Sequence, residues 1–433
     1  MNVKCLRNFA HESTMKPTFQ DRILLFRTLA HSFKHVYLLE SNGYDDCYGR
    51  FSWVLLAGNS NTLTLYKEEE SPWEKLKSFL KTTGNTPIIP GFLTYDLKNN
   101  LENLSSGNSD LTNFPLLSFF EPELIIGEDR AGNSIEFGNM DFAKMQKSEH
   151  KNANVFDAIE MKSNLTEEQY TQYFNRLQNH ISRGDIYEIN YCMQFSAHVA
   201  DLDPVSVFQK LNERSPAPFA VLMKNDDVWL MGSSPERFLN KQRNTLISQP
   251  IKGTIRKTGD SELDKKAGIQ LKNDQKERSE NVMIVDLVRN DLTHYAKSGS
   301  VVVKELCEIY PFATVLHMIS TIQAELEDET KGIDALMKAF PMGSMTGAPK
   351  IRAMQLAEET ETFRRGIYSG ALGYFTAEGN FDFAVMIRSF TWNQTNGYLS
   401  FSTGSAITHK ANAKSEYNEC LLKAEALLQS LVR

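Results

Sequence analysis

The chain has 433 residues, 41% of them hydrophobic and 23% charged, with a formal net charge of −7 at pH 7. Those values belong to a globular protein with room for a large core, as one big domain or two to three smaller ones. The acidic balance excludes a general nucleic-acid binder, because phosphate contacts need a surplus of lysine and arginine.

Lys4, Arg7, His11, Glu12 and Lys16 interrupt the amino-terminal stretch, which therefore offers no apolar core for a signal peptide. No apolar run approaches the roughly twenty residues that cross a membrane. Five cysteines (Cys5, Cys47, Cys192, Cys307 and Cys420) show no paired spacing, and nine histidines form no pair at metal-binding spacing. This fits a reducing cytoplasm and gives no zinc or redox motif. The expectation is a soluble cytoplasmic protein with no membrane and no nucleic-acid partner.

Along the chain, residues 1–140 read as mixed strands and helices, with strands at 36–41 and 51–57 and a short helix at 72–81. A polar, weakly patterned stretch reads as a linker or surface loop over 141–163, leaving 164–433 as a second region. A helix opens that region: Thr166 can cap it, Gln169 completes a capping box, and Tyr170, Tyr173, Phe174, Leu177 and Ile181 recur at helical spacing up to Gly184. Strands are expected at 186–199, 219–224 and 228–232, a long helix from Gln275 to about Tyr295, and a strand at 301–310. His317 falls in a segment that reads as apolar helix, where a satisfied core histidine is the simplest reading. Strands follow at 368–376, 383–391 and 398–402, and a last helix starts near Ala413. Long antiparallel strands beside separate helices favour α+β over a doubly wound sheet.

Chemistry gathers on a few of these segments. Lys252, in Pro250-Ile251-Lys252-Gly253-Thr254, places an amine beside a glycine turn sixteen residues after Glu236. An amine and a carboxyl in one cleft suit covalent catalysis with a proton donor close by. Glu277 and Glu280, like Glu416 and Glu419, are three residues apart on expected helices, so each pair shares a helix face. Such pairs are frequent on solvated helices. The first, however, continues into an apolar and therefore buried helix, where glutamates need a partner, and four hard oxygen donors suit magnesium. Gly343, Ser344 and Gly347 precede a helix expected from about Ala348 and allow close backbone approach, as a simple turn also would. Arg388 lies inside an apolar strand, where it either pairs with a buried acid or presents its fork to a substrate carboxylate.

Taken together, these segments resemble the chorismate-utilising enzymes, the family of anthranilate synthase component I, aminodeoxychorismate synthase component I and the isochorismate and salicylate synthases. The likeness is dense from about Leu165 to Leu427 and rests on GDIYEINYCMQF, SSPERF, PIKGT, ERSENVMIVDLVRNDL, TVLHMISTI, GSMTGAPKIRAMQL, RRGIYSGALGYF, FAVMIRSF and SEYNECLLKAEAL, in the family's order. It implies large antiparallel sheets packed as a sandwich with helices outside. It also implies that Glu277, Glu280, Glu416 and Glu419 hold Mg2+, which grips the ring carboxylate of chorismate. Tyr368, Arg388 and the backbone at Gly404 would hold the enolpyruvyl carboxylate. Thr346 and Lys423 would line the site, His317 would lie over the ring, and Glu236 would protonate the departing hydroxyl at ring position 4. Leu38-Leu39-Glu40-Ser41 is similar to the amino-terminal part that holds tryptophan in some members.

Within that family, isochorismate and salicylate synthases have a lysine where this chain has Glu188, and a carboxylate there argues against water addition. Anthranilate synthases have alanine where this chain has Lys252, and aminodeoxychorismate synthases have the lysine. The resemblance thus implies attack by Lys252 on ring position 2, followed by entry of ammonia at position 4. A free lysine is neutral only about once in 2,500 at pH 7. Burial and magnesium are expected to lower the Lys252 pKa, and an ionised Glu236 to raise it. Ala406 stands where the family usually has glycine, and Glu188 where the ammonia-using members commonly have glutamine. No Gly-x-Cys-x-Gly elbow surrounds any of the five cysteines, so a separate glutamine amidotransferase subunit is the expected ammonia source. Anthranilate synthase component I and a non-catalytic chorismate- or tryptophan-binding subunit are the competing readings.

Overall fold

The computed structural model describes residues 16–66, 71–84, 86–138 and 158–432. Two antiparallel sheets lie face to face, each with helices on its outer side, so the sandwich expected from the resemblance is present. The first sheet, eleven-stranded, runs Gly347–Ala348, Glu188–His198, Tyr398–Thr408, Ser389–Asn393, Val228–Ser234, Phe219–Asn225, His35–Glu40, Phe51–Gly58, Leu124–Asp129 and Ser134–Phe137, with Lys162–Ser163 also on Glu188–His198. The second, ten-stranded, runs Ile251–Arg256, Val315–Glu325, Thr245–Gln249, Arg237–Gln242, Phe381–Val385, Ala371–Thr376, Ile88–Leu93, Leu117–Phe120 and Thr62–Leu65, with Val302–Pro311 also on Val315–Glu325.

Strand alternation explains the layering. In Phe51–Gly58, Trp53, Leu55 and Ala57 face the outer helices, whereas Val54 and Leu56 face the other sheet. Both faces are covered, so such strands read as continuous apolar runs. Tyr37, Val54, Leu56, Phe92, Phe120 and Leu230 belong to the inner layer. Helices Phe19–Ser32, Glu167–Arg183, Pro204–Arg214, Lys350–Thr360 and Ala413–Ser430 bury apolar stripes on the first sheet. Pro72–Thr82, Gln275–Thr293 and Gly332–Ala339 cover the second. The Glu167–Arg183 helix carries the expected capping box, and Gly184 ends it at φ 81, a left-handed conformation that glycine adopts without a Cβ penalty.

Three expectations change. Thr314 to Ile322 is not helical: His317 lies in the strand Val315–Glu325. The segment expected as one strand over 383–391 is two, Phe381–Val385 in the second sheet and Ser389–Asn393 in the first. The chain changes layers between them, with Arg388 at φ 53; for a side chain other than glycine that left-handed conformation costs about 1–2 kcal/mol. The helix after the glycine-rich turn starts at Lys350, and Gly343–Met345 forms a short 3-10 turn before it. The linker expected over 141–163 lies outside the described residues up to 157, as does Cys5; strands from both sides of it join in both sheets.

Arg237 fastens the segment 41–50 to the second sheet. Its Nε reaches Asp382 Oδ1 at 2.9 Å and its Nη2 reaches Asp46 Oδ2 at 2.5 Å, with the arginine fully buried. Replacing it leaves the buried Asp382 without its cation, while Asp46 keeps Arg130 at 3.6 Å. Arg237→Ala is expected to lower stability by about 3–5 kcal/mol, read from the urea midpoint at unchanged m-value.

Candidate active site

The site forms where the edges of the two sheets meet. Lys252 is the second residue of Ile251–Arg256, the outermost strand of the second sheet. A register shift between Ile251 and Thr254 marks a bulge there, and Gly253 takes φ 84. A bulge re-aims the side chain it carries, and the Lys252 side chain is 11% exposed. Glu188 begins Glu188–His198 near the edge of the first sheet, 1% exposed. Lys252 Nζ donates to Glu188 Oε1 at 2.8 Å, across the gap between sheets.

Burial alone would lower the Lys252 pKa, as expected from the sequence. The negative charge of Glu188, with those of Glu280 and Glu419, outweighs it and holds the ammonium well above the ordinary lysine range. Burial acts as expected, but the raising charge comes first from Glu188, which is bonded to Lys252, and not from the expected Glu236.

Glu236 sits between strands Val228–Ser234 and Arg237–Gln242, 4% exposed. Burial pushes its carboxyl up to about 7, against the pull of a hydrogen bond from Ser344 and the charge of Lys252. Ser344 Oγ donates to Glu236 Oε1 at 2.6 Å. A carboxyl that is half protonated near neutral pH suits a general acid. His317 pairs its Nδ1 with Thr254 Oγ1 at 2.8 Å and packs edge-on against Phe312. Burial drops its pKa to about 3, so the ring is neutral.

On the other wall Arg388, Lys423, Gly404 and Glu419 form one run of contacts. Arg388 Nη1 donates to the Lys423 carbonyl at 3.0 Å. Lys423 Nζ donates to the Gly404 carbonyl at 2.8 Å and pairs with Glu419 Oε1 at 2.7 Å. A Cβ at Gly404 would stand 2.9 Å from Cys192 Sγ, so the strand Tyr398–Thr408 approaches its neighbour closely there. Thr346 and Tyr368 are buried with their hydroxyls engaged by protein partners: Thr346 Oγ1 donates to the Met342 carbonyl at 3.2 Å, and the Tyr368 hydroxyl accepts from Cys192 Sγ at 4.0 Å.

The four glutamates lie on the two expected helices, Gln275–Thr293 and Ala413–Ser430. Burial raises Glu277, raises Glu280 to about 7, and raises Glu416, helped by Glu419. Burial would raise Glu419 too, but Lys423 outweighs it and keeps this carboxyl low. Glu280 Oε1 and Glu416 Oε2 are buried without a hydrogen-bond partner. Lys276 Nζ stands 3.2 Å from Glu416 Oε1 and 3.7 Å from Glu280 Oε1. Hard oxygen donors, two of them orphaned, fit a divalent cation in chemistry. As arranged, no three acidic, histidine or cysteine side chains among the described residues are grouped to hold an ion, and Lys276 supplies the positive charge between the helices.

Three groups escaped the sequence reading. Ser344 was legible only as a small residue in a turn, Lys276 only as a neighbour of Glu277, and Glu188 only as a departure from the family pattern. Their partners lie 108, 140 and 64 positions away, beyond any local pattern.

Comparison with known proteins gives three kinds of likeness. A family model described as chorismate binding enzyme matches residues 34–429. Aminodeoxychorismate synthase component 1 of Escherichia coli (strain K12) is 38% identical over 62% of this chain, and the match spans 59% of that relative's length. Anthranilate synthase component 1 of Thermus thermophilus is 30% identical over 85% of this chain and 81% of its own. The crystal structure of anthranilate synthase component I from Streptococcus pneumoniae TIGR4 has the same fold, with a TM-score of 0.76 at 24% identity over 89% of this chain and 93% of that one.

The hydrogen bond from Ser344 favours the ionised form of Glu236. Ser344→Ala is therefore expected to move the Glu236 titration upward in pH, followed by its carboxyl infrared band; an unmoved band would break the link between these residues.

Proposed function

Because this chain belongs to the chorismate binding enzyme family, we propose that it is an aminodeoxychorismate synthase component I, forming 4-amino-4-deoxychorismate from chorismate and ammonia. The observation that carries this reading is Lys252, buried at a bulge in one site with the near-neutral acid Glu236. The 38% identity to the Escherichia coli relative, over 62% of this chain, supports it.

In this mechanism the neutral Lys252 amine bonds to ring position 2 while the C–O bond at position 4 breaks. Glu236 gives its proton to the departing hydroxyl, which leaves as water. Ammonia then bonds to position 4, the lysine nitrogen leaves position 2, and the Glu236 carboxylate takes the surplus proton from the new ammonium. Arg388 and Lys423 supply positive charge for the substrate's carboxylates, and the neutral His317 ring packs without adding charge. Glu277, Glu280, Glu416 and Glu419 would hold Mg2+, whose chemistry is to screen these acids and bind a substrate carboxylate. Lys276, now between Glu280 and Glu416, would have to release these carboxylates for them to hold the ion.

The ammonia source proposed here is a separate glutamine amidotransferase subunit, since no cysteine of the chain sits in a nucleophile elbow. A second cavity, lined by Glu40, Ser41, Phe51, Pro218, Tyr374 and Met386, is where the tryptophan expectation falls. Ser41 Oγ is buried there without a hydrogen-bond partner, and the neighbouring Glu40 Oε2 pairs with Arg22 Nη1 at 3.1 Å. Titration calorimetry with tryptophan tests this: a saturable binding heat supports it, and no binding heat at millimolar tryptophan removes it.

Lys252→Ala is expected to lose most 4-amino-4-deoxychorismate formation from chorismate, ammonium and magnesium, read by chromatography of the products. Release of pyruvate without an added lyase would instead identify an anthranilate synthase. Chelation should abolish turnover and magnesium restore it. Because Glu236 must hold a proton, activity at constant free ammonia should fall as pH rises through about 7.

A further inference from the structure

The contact between Lys252 and Glu188 has no role in the mechanism so far, yet it governs the nucleophile. Lys252 Nζ stands 2.8 Å from Glu188 Oε1, and the carboxylate is 1% exposed. Glu188 Oε2 is buried with no hydrogen-bond partner. Among the described residues, therefore, the Glu188 carboxylate has Lys252 as its hydrogen-bonded cation. The groups facing this pair from neighbouring elements are Glu277 and Glu280 on Gln275–Thr293, Glu419 and Lys423 on Ala413–Ser430, Glu236 before Arg237–Gln242 and His317 on Val315–Glu325. Glu188 itself, then Glu280 and Glu419, hold the proton on the lysine, His317 is neutral, and Glu236 is bonded to Ser344 rather than to Lys252.

We infer that Glu188 is a catalytic proton acceptor for Lys252: it takes a proton from the ammonium before attack and returns it after the lysine is released. The inference rests on the covalent-lysine reading above and deepens it. One N–H bond of Lys252 breaks and one O–H bond forms on Glu188, leaving an uncharged amine beside an uncharged acid. Burial favours that neutral pair over two separated charges. The amine then bonds to the ring, and when the lysine nitrogen leaves, the proton passes back from Glu188. No proton enters or leaves through solvent at this pair, so its proton count is the same at the start and the end of a turnover.

The test is the pH dependence of turnover at fixed free ammonia, over about pH 5 to 6, a unit or more below the point near 7 where Glu236 loses its proton. The wild-type rate is expected to stay level there. Glu188→Gln fills the same space and accepts the same hydrogen bond but takes up no proton, so Lys252 must discharge to water. Its rate should climb roughly tenfold per pH unit. A level profile in Glu188→Gln overturns the inference. Should that variant fail to fold, Glu188→Asp serves: a level profile at a reduced rate supports the role, and a sloping one overturns it. Lys252→Ala in parallel separates the two ideas, because full activity in that variant defeats the covalent-lysine reading itself, whatever the Glu188 profiles show.

Discussion

The buried ion pair of Lys252 and Glu188 is the constraint on which the site turns. Taking a carboxylate and an ammonium out of water costs several kcal/mol per ion, regained only where geometry is good. Here the pair spans the edges of two sheets, so the contact that orients the amine also fixes the distance between the layers at that end. Glu280 and Glu419 add negative charge around it. A cation among the acids and a dianion beside the amine would each shift the same balance. Binding and proton position are therefore coupled through one electrostatic field.

The sandwich makes this arrangement possible by letting one segment serve both layers. Phe381–Val385 belongs to the second sheet and Ser389–Asn393 to the first, and the crossing occurs at Arg388. Its left-handed backbone stores strain that the hydrogen bond to Lys423 and the two flanking ladders hold in place. An arginine set in the middle of a flat strand would point into one layer; at a crossing it reaches the gap between them. Glu236, with Val385 N–H bonded to its carbonyl, stands beside the same crossing.

Much of this was legible in the sequence, for identifiable reasons. Thr166, Gln169 and Gly184 mark the ends of a helix because capping is local chemistry. Glu277 and Glu280, with Glu416 and Glu419, could be paired because helical spacing is local too. What failed were segments buried on every side. Thr314 to Ile322 has no period to separate helix from strand when both strand faces are covered, and Phe383 to Phe390 reads as one apolar run because a change of sheet leaves no trace in hydrophobicity. The acid that raises the Lys252 pKa was missed for another reason: it is Glu188, whose position on a different sheet only the fold reveals.

Asn225 illustrates a consequence of the shared sheets. Its side-chain oxygen accepts from Tyr37 and Ser118 and pairs with His35, gathering residues from three strands on both sheets. His35–Glu40 lies between Phe51–Gly58 and Phe219–Asn225, in register His35 to Asn225 and Glu40 to Ala220. For anyone building chimaeras with a relative, the productive exchange unit is thus not a stretch of sequence but a set of paired strands. A crossover near residue 140 would splice two lineages along every hydrogen-bonded seam between them, so inheritance of the two parts together is favoured by the backbone itself.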